Sequence, residues 1–455
     1  MTNTTGDTTV LRGQVLDGTL GSPIADGAVV VSGERIAWVG DAARLPDAYR
    51  SPGIRVLGGP GHTVMPGLID GHIHISFGEA RSEEELALYT PVEYRAIRAV
   101  WNARKVLRAG VTSAFDAATT YNVAASVRDA IEAGMFEGPR LAVAGRQLTT
   151  HQGLEDSFPS SMQFPPGQAG VLVRSRDEIV EAIRLQVKDG VDVIKVSGSS
   201  DSAITDEPLD SAAFTAEEFQ LIAQETHRLQ RKCTVHARSR ESVLHAARAG
   251  FDWIMHASYI DDEGIELCLK NRIGITPTLT LLANIVDSAG ESAGASIIDV
   301  FKAEMDAAAE NLGRAYRAGV PLVCGSESGW SLVPYGQWHA KELEIFVKLL
   351  GLTPLQAIHA ATDAASRCLP RWSGRIGRLQ ENYLADVLLV SGDPLQDIRT
   401  LQDPQRIATV MKGGRIVDTT TPIPPRRVWP YEKHRTFLPG TFHYNRETRS
   451  GEVKP

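Results

Sequence analysis

Along the chain, apolar and polar positions alternate in two different periods. From about residue 9 to 64, short runs such as "GAVVVSGERIAWVG" switch at every second position and are punctuated by Gly and Pro, the pattern of small antiparallel strands. The same pattern returns in "LADVLLVSGDP" and "IATVMKGGRIV", which predicts that the two ends of the chain pair into one small sheet or β-sandwich. Between them, from about 65 to 372, lie the apolar runs "LIDGHIHI", "VTSAFDAA", "RLAVAG", "VDVIKVSG", "CTVHAR", "DWIMHA", "IGITPTL" and "VPLVCGSES". Amphipathic stretches such as "RDEIVEAIRLQVKDG" and "AEEFQLIAQETHRLQRK" separate them, so the order is that of a (β/α)8 TIM barrel. A doubly wound sheet alternates in the same way, but no GxGxxG follows the first run. The predicted architecture is α/β: residues 1–64 and 373–420 build the sandwich, 65–372 the barrel, and 421–455 an extended tail. Trp429, Tyr431, Phe437 and Phe442 in this Pro-rich tail predict that it packs on its own subunit or on a neighbour, and hence a homo-oligomer.

Composition narrows the partners. At 455 residues the chain can bury a large core plus a smaller unit, and its net charge of -8, without any Lys/Arg stripe, argues against nucleic acid. "MTNTTGDTTVLRGQVLDG" has neither the basic start nor the apolar run of a signal peptide, and no run of ~18 apolar residues occurs. The expectation is a cytoplasmic protein with no membrane partner. Cys233, Cys268, Cys324 and Cys368 lack CxxC spacing and read as core thiols.

The candidate chemistry lies at the ends of the predicted strands. In "GLIDGHIHIS", His72 and His74 stand two apart, so both imidazoles leave one face of a strand and suit a first-row metal ion. Lys195 follows on the fourth run, His236 on the fifth, His256 on the sixth and Glu327 on the eighth. Each alone is explained by a structural role. Their joint placement on the C-terminal rim, where barrel active sites are built, points to a metal site. A divalent ion held there would lower the pKa of a bound water from 15.7 toward neutrality and polarise a scissile carbonyl. No GxSxG elbow is present, and Cys324 lacks a dedicated His, so nucleophilic Ser or Cys chemistry is disfavoured.

Together, "VMPGLIDGHIHI", "RAGVTSAFD", "VDVIKVSGS", "TVHARS", "MHASYIDDEGI", "GLTPLQAIHAATDAAS" and "GRIGRLQENYLADVLLVSGDPLQDI" resemble the amidohydrolase superfamily over residues 10 to 420. "HASYIDDEG" is most similar to the subgroup of prolidases, N-acyl amino-acid and mycotoxin amidases and imidazolonepropionases. The resemblance implies that His72 and His74 bind the buried metal and His236 and His256 the more exposed one. Lys195 would be carbamylated and bridge the two divalent ions, zinc foremost, with Mn, Co, Ni or Fe as alternatives. Glu327, in "GSESG", falls where the family usually has Asp, and would be both metal neighbour and proton shuttle. One methylene longer, it requires either that the backbone sit back or that the side chain swing away. His151 occupies a place similar to a histidine near the substrate carbonyl in prolidase-like members, with a loop-stabilising role as the other reading.

Tyr259 and Trp330 are further expected substrate contacts, and Phe158 and Leu332 are expected to border the pocket. His245 sits in a helical pattern, and His62, His227, His339, His359, His434 and His443 carry no spacing that singles them out. The expected function is hydrolysis of a C–N bond in an amide, carbamate or urea-like molecule, such as an N-acyl amino acid or aryl amide. A cyclic-amide hydrolase or deaminase is the alternative, and a non-catalytic binding or assembly protein a more distant one.

Overall fold

The computed structural model describes residues 8–151, 153–200, 211–288 and 295–426; the tail aromatics lie outside them. Period-2 alternation makes strands of Thr8–Val15, Ile24–Ser32 and Arg35–Asp41, with Leu11 opposite Val29. One set of alternate residues (Leu11, Val15, Val29, Val31) joins Val387, Leu389 and Met411 in an apolar cluster, while Val10, Ala28 and Val30 form another. The late strands Val387–Ser391 and Ile407–Lys412 pair antiparallel, and the first of them lies against Arg55–Pro66. The two ends therefore meet. They form a single seven-stranded sheet, the first of the two expected forms and not the sandwich. The twelve-residue strand Arg55–Pro66 is the cause, because it bonds parallel to Thr8–Val15 on one edge and antiparallel to Val387–Ser391 on the other.

The central unit is barrel-like. Its first strand, Leu68–Ile73, runs parallel to the second, Val111–Asp116, which pairs with the third, Arg140–Val143. The fourth (Val193–Ser197), fifth (Lys232–Ala237), sixth (Trp253–His256) and seventh (Gly274–Thr276) follow in parallel register. The first, second and fourth are buried at every position, as parallel strands covered on both faces must be. Helices Arg176–Lys188 and Ala216–Arg228 cover this wall, started by side-chain caps from Ser175 and Thr215. Ile179, Ile183, Phe219 and Ile222 belong to the same apolar cluster as Ile194, Val196 and Val235.

Two details depart from the eight-run pattern. The third run breaks at Gly145 (φ 69°), and its continuation Gln147–Thr149 pairs with the fourth strand and with an unexpected strand, Gly170–Leu172. The eighth run, "VPLVCGSES", forms isolated bridges, Ile275 to Leu322 and Ile73 to Ser328, instead of a strand. Its backbone is diverted: the Asp70 carboxylate takes the Ser326 N–H at 3.0 Å, and Glu327 turns left-handed at φ 63°. The strands thus form sheets of three and six rather than a closed eight-stranded ladder. All four cysteines are free and buried. Among the described residues, no helix is long and apolar enough to cross a membrane.

Candidate metal centre

The first strand delivers His72 and His74 as alternation requires: both are buried, and their Nε2 atoms are 3.2 Å apart. Across from them, Glu327 Oε1 stands 3.2 Å from His72 Nε2 and 2.9 Å from His74 Nε2. The longer carboxylate therefore reaches the pair instead of swinging away. Two features allow it. A Cβ on Gly325 would meet the His72 Cβ at 2.8 Å, so the glycine lets the two segments touch, and the left-handed backbone at Glu327 turns its side chain inward. His256, also left-handed (φ 70°), closes the group from the sixth strand, its ring 5.4 Å from that of His72 and 4.4 Å from that of His236.

Proton positions follow from the outer partners. A carbonyl only accepts, so His74 Nδ1 donates to Ala118 O (3.1 Å). Thr278 donates its hydroxyl to Pro277 O, leaving its oxygen to accept from His256 Nδ1 at 2.6 Å. Neutral rings so fixed turn bare Nε2 lone pairs inward. Burial, with the Lys195 charge helping and Glu327 opposing, lowers His72 to about 4; burial and Arg238 hold His236 and His256 well below the usual imidazole range. Burial pushes Glu327 up, and only positive charge at His72 and His74 holds it well below the usual carboxylate range, a charge that a cation shared with their Nε2 atoms would supply. Lys195, against Met255 Sδ, is brought down to about 7 by burial, with Glu327 and Glu155 opposing.

Acceptors therefore face acceptors. His236 Nε2, His256 Nε2 and Glu327 Oε2 are buried without hydrogen-bond partners, a cost of about 1–3 kcal/mol each unless a cation takes them. One donor atom each from His72, His256 and Glu327 falls within 4.8 Å of the others. A nitrogen and oxygen donor set of this kind fits a divalent ion of zinc type.

Supporting residues went unnoticed in the sequence. Asp70, two before His72, accepts from the His72 and Ser326 N–H groups and from His339 Nδ1 at 2.7 Å, tying the first strand to the eighth segment. Alternation places it on the face of His72 and His74, which was the available signal. Asp116, pushed up to about 7 by burial, receives the Ile75 N–H at 2.7 Å.

Above this floor opens a cavity of about 310 Å3. Its walls include Phe77, Leu281, Leu282, Ile285, Phe301 and Trp330, with Glu155 and Arg238 among the polar groups. Trp330 and Leu332 border it as expected; His151, Tyr259 and Phe158 are not among its lining residues. The His151 side chain is 64% exposed and pairs with Asp156 at 3.1 Å, the loop-holding arrangement, so the substrate-side position expected of it is not what the structure shows. Tyr259 is half-buried, its hydroxyl pushed up to about 12 by burial and Glu304.

The chain belongs to the amidohydrolase family, whose model matches residues 63–417, and it is a hydrolase acting on carbon–nitrogen bonds. Residues 27–50 match an imidazolonepropionase-like composite domain of bacteria. The chain is 30% identical to ochratoxinase of Aspergillus niger over 417 residues, covering 87% of this chain and 84% of that protein. The crystal structure of A. niger ochratoxinase superposes with a TM-score of 0.80 at 28% identity, over 90% of this chain and 95% of that one. A prolidase solved with N-methylphosphonate-L-proline gives 0.79 at 25% identity, over 90% and 99%. Metal ions are general in the family.

Proposed function

We propose that the protein is a binuclear metal-dependent amidohydrolase that cleaves amides, carbamates or urea-like molecules, N-acyl amino acids and aryl amides included. The observation that carries the reading is the convergence of His Nε2 atoms and the Glu327 carboxylate at the floor of an apolar cavity. His72 and His74 would hold one ion, His236 and His256 the other, and Lys195 would bridge them as its carbamate. In that step the neutral Nζ lone pair bonds to the carbon of CO2, one C=O electron pair moves to oxygen, and a proton leaves nitrogen for solvent. When bound, the ions would activate water and polarise the scissile carbonyl.

The chain's own residues supply the rest. Glu327, with Oε2 unpartnered, accepts a proton and delivers it to the departing nitrogen. Leu281, Leu282, Ile285, Phe301 and Trp330 exclude water and favour a substrate with an apolar or aromatic group. That ochratoxinase and prolidase stand among the relatives supports a substrate of N-acyl amino-acid type.

The test is product identity. The metal-reconstituted enzyme and an EDTA-treated control are incubated with amides, carbamates, ureas and aminated heterocycles, and nitrogen products are detected by mass. Release of an organic amine or amino acid by the reconstituted sample alone is expected. Ammonia released only from a heterocycle would overturn the reading in favour of a deaminase.

A further inference from the structure

The strands that carry His236 and His256 begin beside a second convergence of metal-ligating groups. His227 Nε2, from the last turn of helix Ala216–Arg228, lies 3.7 Å from Cys233 Sγ and 2.9 Å from Asp252 Oδ2. Cys233 is the second residue of the fifth strand, and Asp252 immediately precedes the sixth. One donor atom from each of the three falls within 4.8 Å of the others. Zinc ligands at 2.3 Å for sulfur and about 2.0–2.1 Å for nitrogen and oxygen stand roughly 3.3–3.6 Å apart in a tetrahedron. The two measured separations bracket that range.

We propose that His227, Cys233 and Asp252 form a separate site for a borderline-soft divalent ion of zinc type, completed by a water from the adjoining groove. The groove, about 720 Å3, is lined by His227 with Arg128, Asp192, Arg231 and Lys232, and the water would enter from the His227 side. The carboxylate is already oriented: Cys233 N–H donates to Oδ2 at 2.9 Å, and Lys232 Nζ occupies Oδ1. Lys232 keeps to the oxygen that the ion does not use. Binding forms a sulfur–metal bond as the S–H bond breaks and its proton passes to solvent; the proton that His227 Nε2 shares with Asp252 moves to Nδ1 through solvent, freeing the Nε2 lone pair, and nothing is oxidised or reduced. A thiolate, an imidazole and a carboxylate form a softer set than the cavity floor, which suits zinc better than magnesium or manganese.

Position gives the site its consequence. Cys233 is three residues before His236 and Asp252 four before His256, roughly 10 and 13 Å at ~3.3 Å per residue. An ion here would clamp the starts of the two strands whose far ends enter the cavity, so its effect would be to brace them.

Cobalt(II) titration of the chelator-treated, full-length protein tests the site. None of the six residues assigned to the cavity floor is a thiol, so a near-ultraviolet thiolate-to-cobalt charge-transfer band reports cysteine ligation alone. The band should grow to one ion per chain, vanish in Cys233→Ser, and need at least about tenfold more cobalt in His227→Ala, the loss that even an outer-shell partner causes. No band in the wild type, or one unchanged in either variant, overturns the proposal. Should Cys233→Ser fail to fold, the substitution of partly exposed His227 still decides. Hydrolysis at the cavity is a separate readout, so the two proposals fail independently.

Discussion

At the scale of the residue, Glu327 concentrates the chemistry. It faces two imidazole nitrogens with Oε1 while Oε2 has no partner, so one oxygen is placed to neighbour a metal and the other to carry a proton. Glu327→Gln keeps size and shape but cannot accept that proton. The variant should retain its metal by elemental analysis and lose ~10²–10⁴-fold in kcat; undiminished turnover would remove Glu327 as the shuttle. Much of this floor was legible beforehand, because period 2 in a strand and the position after each apolar run place His72, His74, Lys195, His236, His256 and Glu327 without coordinates. Asp70, Asp116 and His339 were not, since their importance lies in which backbone N–H or ring each one meets, and those partners are set by packing between distant segments. His151 shows the converse: a local likeness to a motif fixes neither exposure nor partner.

At the scale of the element, helix Leu279–Ser288 carries much of the cavity wall, and Glu342 caps it. This fully buried carboxylate accepts from Leu279 N–H (2.9 Å), Thr280 N–H (2.8 Å) and the Thr280 hydroxyl. Burial still outweighs these bonds and pushes Glu342 up to about 7. A carboxyl raised on folding stabilises most below its unfolded pKa near 4.5, and that contribution is lost as pH climbs through 7. Glu342→Gln stays neutral and escapes the loss. Between pH 5 and 8, the unfolding free energy of the variant should therefore rise relative to wild type by on the order of 3 kcal/mol, as read by urea titration at both values; a constant difference would show that Glu342 is ionised throughout. Elements with caps and strong periodicity were readable, as Arg176–Lys188 and Ala216–Arg228 show. The eighth run was not, because its apolar letters fit a strand while Asp70, Gly325 and the turn at Glu327 take its backbone elsewhere.

At the scale of the whole molecule, the sheet made from both chain ends is fastened to the barrel-like unit by a buried fork. Arg140, on the third strand, grips Asp386 with two bonds of 2.8 and 3.1 Å, and Asp386 also receives the Gly413 N–H. Arg140→Ala leaves that carboxylate buried and unpaired, which should cost on the order of 3–5 kcal/mol and lower the urea midpoint; a midpoint at the wild-type value would show the fork to be dispensable. Alternation revealed that the ends meet, but not whether as a sheet or a sandwich, since a strand bonded on both edges, as Arg55–Pro66 is, looks the same in sequence as one bonded on a single edge. The division between floor and wall reaches further. Candidate metal ligands sit on barrel strands and the Glu327 segment, whereas Leu281, Leu282, Ile285 and Phe301 ride on helices after the seventh strand. Selection can therefore rewrite which molecule is admitted without disturbing the reaction performed on it, and a lineage built this way can drift from one substrate to another through mutations that are individually mild.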